Sequence, residues 1–374
     1  MGKHIVLVGG GHAHMTCMLN TGAFYQHGHR ITLVSSSPYH YYSGMGPGML
    51  SGIYSPQEIR FNVKKMVEDR GGTYIKDTVI RIDPDKHILY FSSGETLHYD
   101  IVSCNTGSDV PTDSIAMEDS DIYTVKPIIN LLKAHDRIVE QLKTKALNIV
   151  VIGGGPAGVE IAANVWRLVS DKGGNAWISL IAGKKLMGRF PGRVRKLTIS
   201  SFKKRGIEVF EDEHVKSIET DKVILTSGKE IKRDIVFPAM GVRPSSLFRN
   251  SGLPSGNDGG LLVNSQLHSV AYTDIFGGGD CINLAGHGLA KVGVYAVRQN
   301  PILFHNLMAS ANGRELAAFD PGGNYLLIFN MGDNKGIFWK DRIVWGGKLA
   351  FRLKDYIDRT FMRKFQVSGE LEEI

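Results

Sequence analysis

The sequence predicts an α/β fold with two Rossmann-like units and a small C-terminal region of β-hairpin plus amphipathic helix, on three observations. The run Ile5-Val6-Leu7-Val8-Gly9-Gly10-Gly11-His12-Ala13-His14 sets a glycine turn between an apolar strand and a helix-like stretch, 15–20. The run Ile149-Val150-Val151-Ile152-Gly153-Gly154-Gly155-Pro156-Ala157-Gly158-Val159-Glu160 repeats that pattern before a second helix-like stretch, 159–169. The phrase Thr273-Asp274-Ile275-Phe276-Gly277-Gly278-Gly279-Asp280 then closes another apolar strand with a glycine–aspartate turn.

Loops of this kind let the chain turn tightly and bring backbone N–H groups and the positive end of the next helix against a pyrophosphate. Two such loops imply two dinucleotide cofactors in one chain, and neighbouring cofactors imply electron transfer between them. The second loop is complete, with glycines at 153, 155 and 158. The first has Gly9 and Gly11 but His14 at the third position, where glycine normally allows close helix–strand packing. His14 is expected to be a packing substitution; the sharper alternative has His12 or His14 facing a bound ring system.

A chain of 374 residues with 43% hydrophobic content suffices for two or three domains with their own cores. The excess of 44 Lys+Arg over 37 Asp+Glu suits anionic dinucleotides and an anionic membrane surface without requiring nucleic acid, for which no motif is present. Met1-Gly2-Lys3-His4 leads straight into the first strand, so no signal peptide is expected, and no apolar run is long enough to span a bilayer. Cys17, Cys104 and Cys281 are scattered and odd in number, which suggests a reducing compartment with neither disulfide framework nor metal site.

The elements follow in order. Ile31–Val34 is the second strand, and Ser35 stands at its end where an acidic residue usually holds a ribose. Tyr39–Leu50 is a glycine-rich aromatic loop, read either as a surface loop or as a segment passing a flavin ring. Val79–Asp83 and His87–Phe91 form a hairpin, and a further strand ends in Cys104-Asn105-Thr106-Gly107. A similar phrase returns at Arg233–Pro244, so the architecture is duplicated. In the second half the strand Trp177–Ile181 ends at Ala182-Gly183-Lys184-Lys185, without a ribose-binding acid; Lys184 and Lys185 either pair with a 2′-phosphate or form a solvated turn. Asp280 at its strand end is placed to accept from a ribityl hydroxyl, and the stretch 286–301 supplies the next helix. Tyr325–Asn330 and Gly336–Lys340 flank a Gly332-Asp333-Asn334 turn. Beyond it Leu349, Leu353, Tyr356, Ile357 and Met362, extended by Phe361 and Phe365, recur at helical spacing among Arg352, Lys354, Arg359, Arg363 and Lys364. Such a basic amphipathic helix suits a membrane interface, the body of the protein or a second subunit.

On these residues the chain resembles the FAD-dependent pyridine nucleotide-disulfide oxidoreductase superfamily over about 1–310. Its C-terminal hairpin and basic helix are similar to those of type II NADH dehydrogenases and sulfide:quinone oxidoreductases. Tyr42-Ser43-Gly44-Met45 and Leu353–Arg359 also resemble the NADH-dehydrogenase-like flavoproteins associated with selenide, water dikinase. The resemblance implies that Gly9, Gly11 and Asp280 bind FAD; His12, Ser35, Thr106, Gly107 and Gly279 are the further cofactor-binding candidates beside them. It implies that Gly153, Gly155 and Gly158 serve NAD(P)H, with Lys184 as the candidate at the ribose end. Glu160, Lys291 and Gln299 are implied near the reacting rings as catalytic residues. The stretch 39–54 holds no cysteine, which argues against a redox-active disulfide.

The resulting expectation is an FAD-dependent NAD(P)H dehydrogenase passing electrons to a quinone-like acceptor. A sulfide:quinone or other sulfur/selenium oxidoreductase using Cys104 or Cys281, and a weakly catalytic NAD(P)H sensor, are the alternatives. The expected organisation is an FAD-binding domain in two parts, 1–115 and 241–314, an NAD(P)H-binding domain at 116–240, and the C-terminal region at 315–374. The expected setting is cytoplasmic, with a peripheral position on the inner face of the plasma membrane and a homodimer as further options.

Overall fold

The computed structural model describes residues 2–112, 121–373 and the backbone of 116–117. Of the expected boundary at 115/116, residue 115 lies outside the described residues. Two parallel sheets organise the chain, as two glycine loops require. The first runs in the order Ile275–Gly277, Ile101–Cys104, His4–Val8, Arg30–Val34, Thr73–Ile75, with every pairing parallel. The strand His4–Val8 is buried from end to end, as a parallel strand covered on both faces must be. The second sheet runs Glu208–Phe210, Ala176–Ile181, Leu147–Ile152, Ile235–Pro238, again all parallel.

This order brings the functional turns together. In the first sheet Ile101–Cys104 lies between His4–Val8 and Ile275–Gly277, so Gly9–Gly11, Asn105–Gly107 and Gly278–Asp280 leave the same sheet edge side by side. In the second, Gly153–Gly155 and Ala239–Gly241 leave adjacent strands. Ligands in open α/β sheets bind outside such carboxyl ends.

The duplication extends further than the hairpin Val79–Asp83 with His87–Phe91 expected from the sequence. Val79–Asp83, Ile88–Phe91 and Thr96–His98 form a three-stranded antiparallel sheet. Val215–Ile218, Lys222–Leu225 and Glu230–Lys232 form its counterpart, to which Ala116–Met117 adds a parallel edge. The second antiparallel sheet covers the parallel one through a core of Val150, Ile152, Ile181, Ile218, Val223, Leu225 and Val236.

The C-terminal region is a meander of Leu327–Asn330, Gly336–Lys340 and Ile343–Gly347, followed by the helix Lys348–Phe365. The single apolar stripe read from the sequence divides between two faces. Ala350, Phe351, Asp358, Met362 and Phe365 are buried against the body. Leu349 and Tyr356 are 68% and 66% exposed, and Ile357 is also exposed. The stripe splits because Lys354 and Asp358 turn inward as an ion pair and take up part of the packed face. Beyond the helix the chain clasps the first half. Glu373 pairs with Arg60 at 2.8 Å, and Glu370 accepts from the Asn62 N–H at 3.0 Å.

Candidate functional site

The first glycine loop is organised around Asn105, which is not among the expected site residues. Gly9 has φ of 89°, and a Cβ there would strike the Asn105 carbonyl oxygen. A Cβ on Gly11 would strike Asn105 Oδ1, and one on Gly279 would strike Nδ2. The amide makes two bonds across the cradle. Oδ1 accepts from the Ala13 N–H at 3.2 Å, and Nδ2 donates to the Gly278 carbonyl at 2.5 Å. One side chain therefore ties all three turns, and only glycine permits the approach. Its signal in the sequence was its place just before Thr106-Gly107, at a strand end.

The other expected FAD residues lie around this cradle. Gly9 donates its N–H to Val34 O at 2.8 Å, which seats Ser35 beside the loop. Thr106 is exposed, and Gly107 turns with φ of 72°. Gln299 is buried, and its Oε1 accepts from the Gly279 N–H at 2.6 Å. Asp280 accepts from Lys126 Nζ at 2.7 Å and from Ser108 Oγ at 3.0 Å. Neither partner was singled out from the sequence, since both lie far from Asp280 in the chain. Lys291 lines the same cleft as Gly279, Asp280, Tyr295 and Gln299. Its ammonium is engaged by Asp258 at 3.2 Å, by Asn283 Oδ1 at 3.3 Å and by the Ile282 carbonyl.

His14 has the packing role expected of it. It is fully buried, with Nδ1 at 2.7 Å from Gly9 O and Nε2 at 2.8 Å from Ser103 Oγ. The chain enters the helix through a 3-10 turn, His12–His14, which makes room for the ring. His12 points elsewhere, into a cluster of His40, Tyr42, Phe61 and Phe361.

The second loop keeps the usual geometry. A Cβ on Gly153 would strike Ala239 O, and one on Gly158 would strike Gly153 O, so both glycines are needed for packing. A Cβ on Gly155 would meet nothing within 4 Å, which leaves its backbone open to a pyrophosphate. The helix Pro156–Asp171 starts there with no side-chain cap on its N-terminus, so its first N–H groups remain available to an anion. Lys184 and Lys185 are exposed on the turn after Ala176–Ile181. The nearby Glu211 is occupied by Arg195 and the Leu186 N–H, both at 2.6 Å.

Glu160 lies on this same helix but apart from the Lys291 cleft. Its Oε1 accepts from the Asn330 N–H at 2.7 Å. Burial lifts its carboxyl to about 7, against the pull of Lys354 and the Asn330 N–H. Lys354 donates to Asp358 and to Gly44 O, both at 2.7 Å, and Asp358 accepts from the Tyr42 hydroxyl at 3.1 Å. Burial opposes the charge on Lys354, yet Asp358 and Glu160 outweigh it and hold the amine above its ordinary value. Burial and Asp358 together raise the Tyr42 phenol well above its usual range. The aromatic loop, the second glycine-loop helix and the C-terminal helix thus share one charged network.

The three cysteines are free thiols. Cys17, Cys104 and Cys281 are all buried, and burial pushes each thiol up. Cys281 donates to Cys104 O at 3.4 Å and Gly278 O at 3.3 Å. No group of His, Cys, Asp and Glu among the described residues is arranged to hold a metal ion.

Two parallel sheets thus end in glycine cradles, and a charged network lies between the second cradle's helix and the C-terminal helix. The chain belongs to the pyridine nucleotide-disulphide oxidoreductase family, whose model matches residues 3–309. It is 27% identical over 280 residues to ferroptosis suppressor protein 1 of Taeniopygia guttata, covering 71% of each chain. It is 28% identical to demethylphylloquinone reductase NdbB of a Synechocystis strain over 53% of this chain and 50% of that one. Its fold matches the structure of NDH2 from Plasmodium falciparum in complex with NADH, with a TM-score of 0.83, 15% identity and coverage of 99% and 98%.

Proposed function

We propose that this protein oxidises NAD(P)H through FAD and reduces a quinone-like acceptor. The observation that carries the proposal is the Glu160–Lys354–Asp358–Tyr42 network, which joins the helix of the second glycine loop to the C-terminal helix. When bound, FAD supplies the capacity to take a hydride from the nicotinamide and to release two electrons to an acceptor. The Asn105-tied cradle with Asp280 and Lys126 would hold FAD, and the open backbone at Gly155 would hold the nicotinamide cofactor's pyrophosphate. Glu160 holds or releases a proton at its carboxyl near neutral pH. Lys354 stabilises negative charge in a dry setting, where it acts more strongly than in water. Gln299 fits a positioning role because it accepts from the Gly279 N–H in the turn that presents Asp280, and Lys291 fits one at Ile282 and Asn283 on the strand that follows. Family membership and the demethylphylloquinone reductase relative support this reading.

The test is anaerobic titration of the flavin-loaded protein with NADH and with NADPH. Bleaching of the flavin band followed by recovery on adding a short-chain quinone supports the proposal. A flavin that neither nucleotide bleaches overturns it, and bleaching without recovery by any quinone favours a sensor. If Lys184 and Lys185 receive a 2′-phosphate, K184A/K185A raises KM for NADPH about tenfold while leaving KM for NADH within twofold.

We also propose that the exposed face of the C-terminal helix docks on an anionic lipid surface. Leu349, Tyr356 and Ile357 lie there with the exposed Lys348, Arg352, Arg363 and Lys364, a composition that suits a lipid interface. Among the described residues no helix is long and apolar enough to cross a membrane.

A further inference from the structure

We infer that His12 and His40 form a proton relay from solvent to the acceptor side of the reaction centre. This rests on the quinone-reducing reading above. The overall balance is NAD(P)H + H⁺ + quinone giving NAD(P)⁺ + quinol. A hydride brings two electrons and one proton, whereas a quinol carries two of each, so one proton per turnover comes from water.

The surroundings of His12 leave that proton few routes. His12 is 8% exposed, and its ring is walled by Tyr42, Phe361 and Phe61, with centroids 5.3, 5.6 and 6.4 Å away. His40, on the strand Tyr39–Tyr41, is half-buried as a residue and so more exposed than His12. Its Nε2 lies 3.2 Å from His12 Nδ1. At the inner end, His12 Nε2 is buried and has no hydrogen-bond partner among the described residues. An orphaned buried nitrogen costs about 1–3 kcal/mol. Packing alone gives no reason to keep it, since His14 two residues on has both ring nitrogens satisfied.

Neutral imidazole carries one donor and one acceptor nitrogen. Two rings joined nitrogen to nitrogen pass a proton when the outer ring accepts one and the inner ring releases another. Both rings exchange tautomer and finish neutral. The groups facing the pair favour transit over storage. Lys126, paired with Asp280, is the nearby cation; the Tyr42 hydroxyl is committed to Asp358; Asp358 in turn is held by Lys354. On the neighbouring strand Phe61 is apolar, and Arg60 is turned to Glu373. Burial first, and Lys126 after it, lowers His12 to about 4, and burial likewise lowers His40. Neither ring therefore holds a resting charge at neutral pH.

The flavin-loaded protein and its His40→Phe variant are reduced without oxygen and reoxidised with ubiquinone-1 or with ferricyanide, which takes electrons without protons. The expected result is a fall of tenfold or more in the quinone rate relative to the ferricyanide rate, partly restored by added imidazole. Equal slowing with both acceptors, or no slowing, overturns the relay. Reduction by dithionite permits the same comparison if NAD(P)H does not bleach the flavin, so failure of the donor reading and failure of the relay remain separate. A second measurement needs no variant: ¹⁵N NMR of histidine-labelled protein is expected to show two neutral, mutually hydrogen-bonded rings from pH 8 to pH 5. Two rings titrating independently near pH 6.5 overturn the proposal.

Discussion

At position 14 the chain carries the largest departure from its own second loop, and the structure turns it into a cross-brace. The glycine at 158 keeps a Cβ away from Gly153 O, whereas His14 meets Gly9 O with a ring nitrogen and reaches Ser103 with the other. Restoring the usual residue by His14→Gly therefore removes two buried hydrogen bonds and leaves a ring-sized void. It is expected to destabilise the protein by about 2–4 kcal/mol in urea unfolding rather than improve it. Glu160 gives a prediction of opposite chemistry. Its native pKa of about 7 lies above the ordinary 4.5, so the folded state binds more protons between those values. The penalty is absent below about pH 4.5 and grows as pH rises through 7, to about 3 kcal/mol. Glu160→Gln removes it, so the stability difference between variant and wild type should widen in the variant's favour by about that amount from pH 5 to pH 8. Histidine titration is common to both proteins and cancels in the comparison. A flat difference would show that Glu160 is not held neutral by its surroundings.

Among the elements, the C-terminal helix shows where sequence patterning stops being informative. Its existence was legible from apolar residues at helical spacing, but its orientation was not. Periodicity counts apolar side chains, and here Lys354 and Asp358 face inward as a pair while Leu349 and Tyr356 face out. The two faces predict separable effects. Lys354→Met leaves Asp358 buried without its cation and should cost about 3–5 kcal/mol, read as a lower thermal midpoint. L349D/I357D touches only the outer face. It should leave that midpoint unchanged within about 1 kcal/mol. Cosedimentation with phosphatidylcholine vesicles containing phosphatidylglycerol should be abolished, and unaltered cosedimentation would remove the membrane reading. The glycine loops were the opposite case. Their backbone geometry is written locally in the residues themselves, as is the place of Asn105 before Thr106-Gly107, whereas Ser108 and Lys126 act on Asp280 from far along the chain and had no local mark.

For the whole molecule, the duplication visible in the repeated phrases at 101–107 and 235–241 became two sheets with the same arrangement of strands around the glycine-loop strand. What no single stretch could reveal is that the first sheet is completed from far along the chain. Ile275–Gly277 forms its edge beside Ile101–Cys104, and Asn300 on the helix Gly293–Ala311 accepts from the Thr16 N–H at 2.8 Å. The second sheet, by contrast, takes all its strands from 147–238. On a ribosome the earlier half must then wait, its edge strand and first helix uncovered, while the later half is made and folds. At ordinary elongation speeds that interval is on the order of ten seconds. Nascent chains arrested before residue 275 should show a protease-resistant core only within about 146–240, and those extended past 311 should protect the N-terminal half as well. The order in which this protein is synthesised is therefore not the order in which its parts become safe from aggregation, and its yield in a cell depends on what shields the first hundred residues meanwhile.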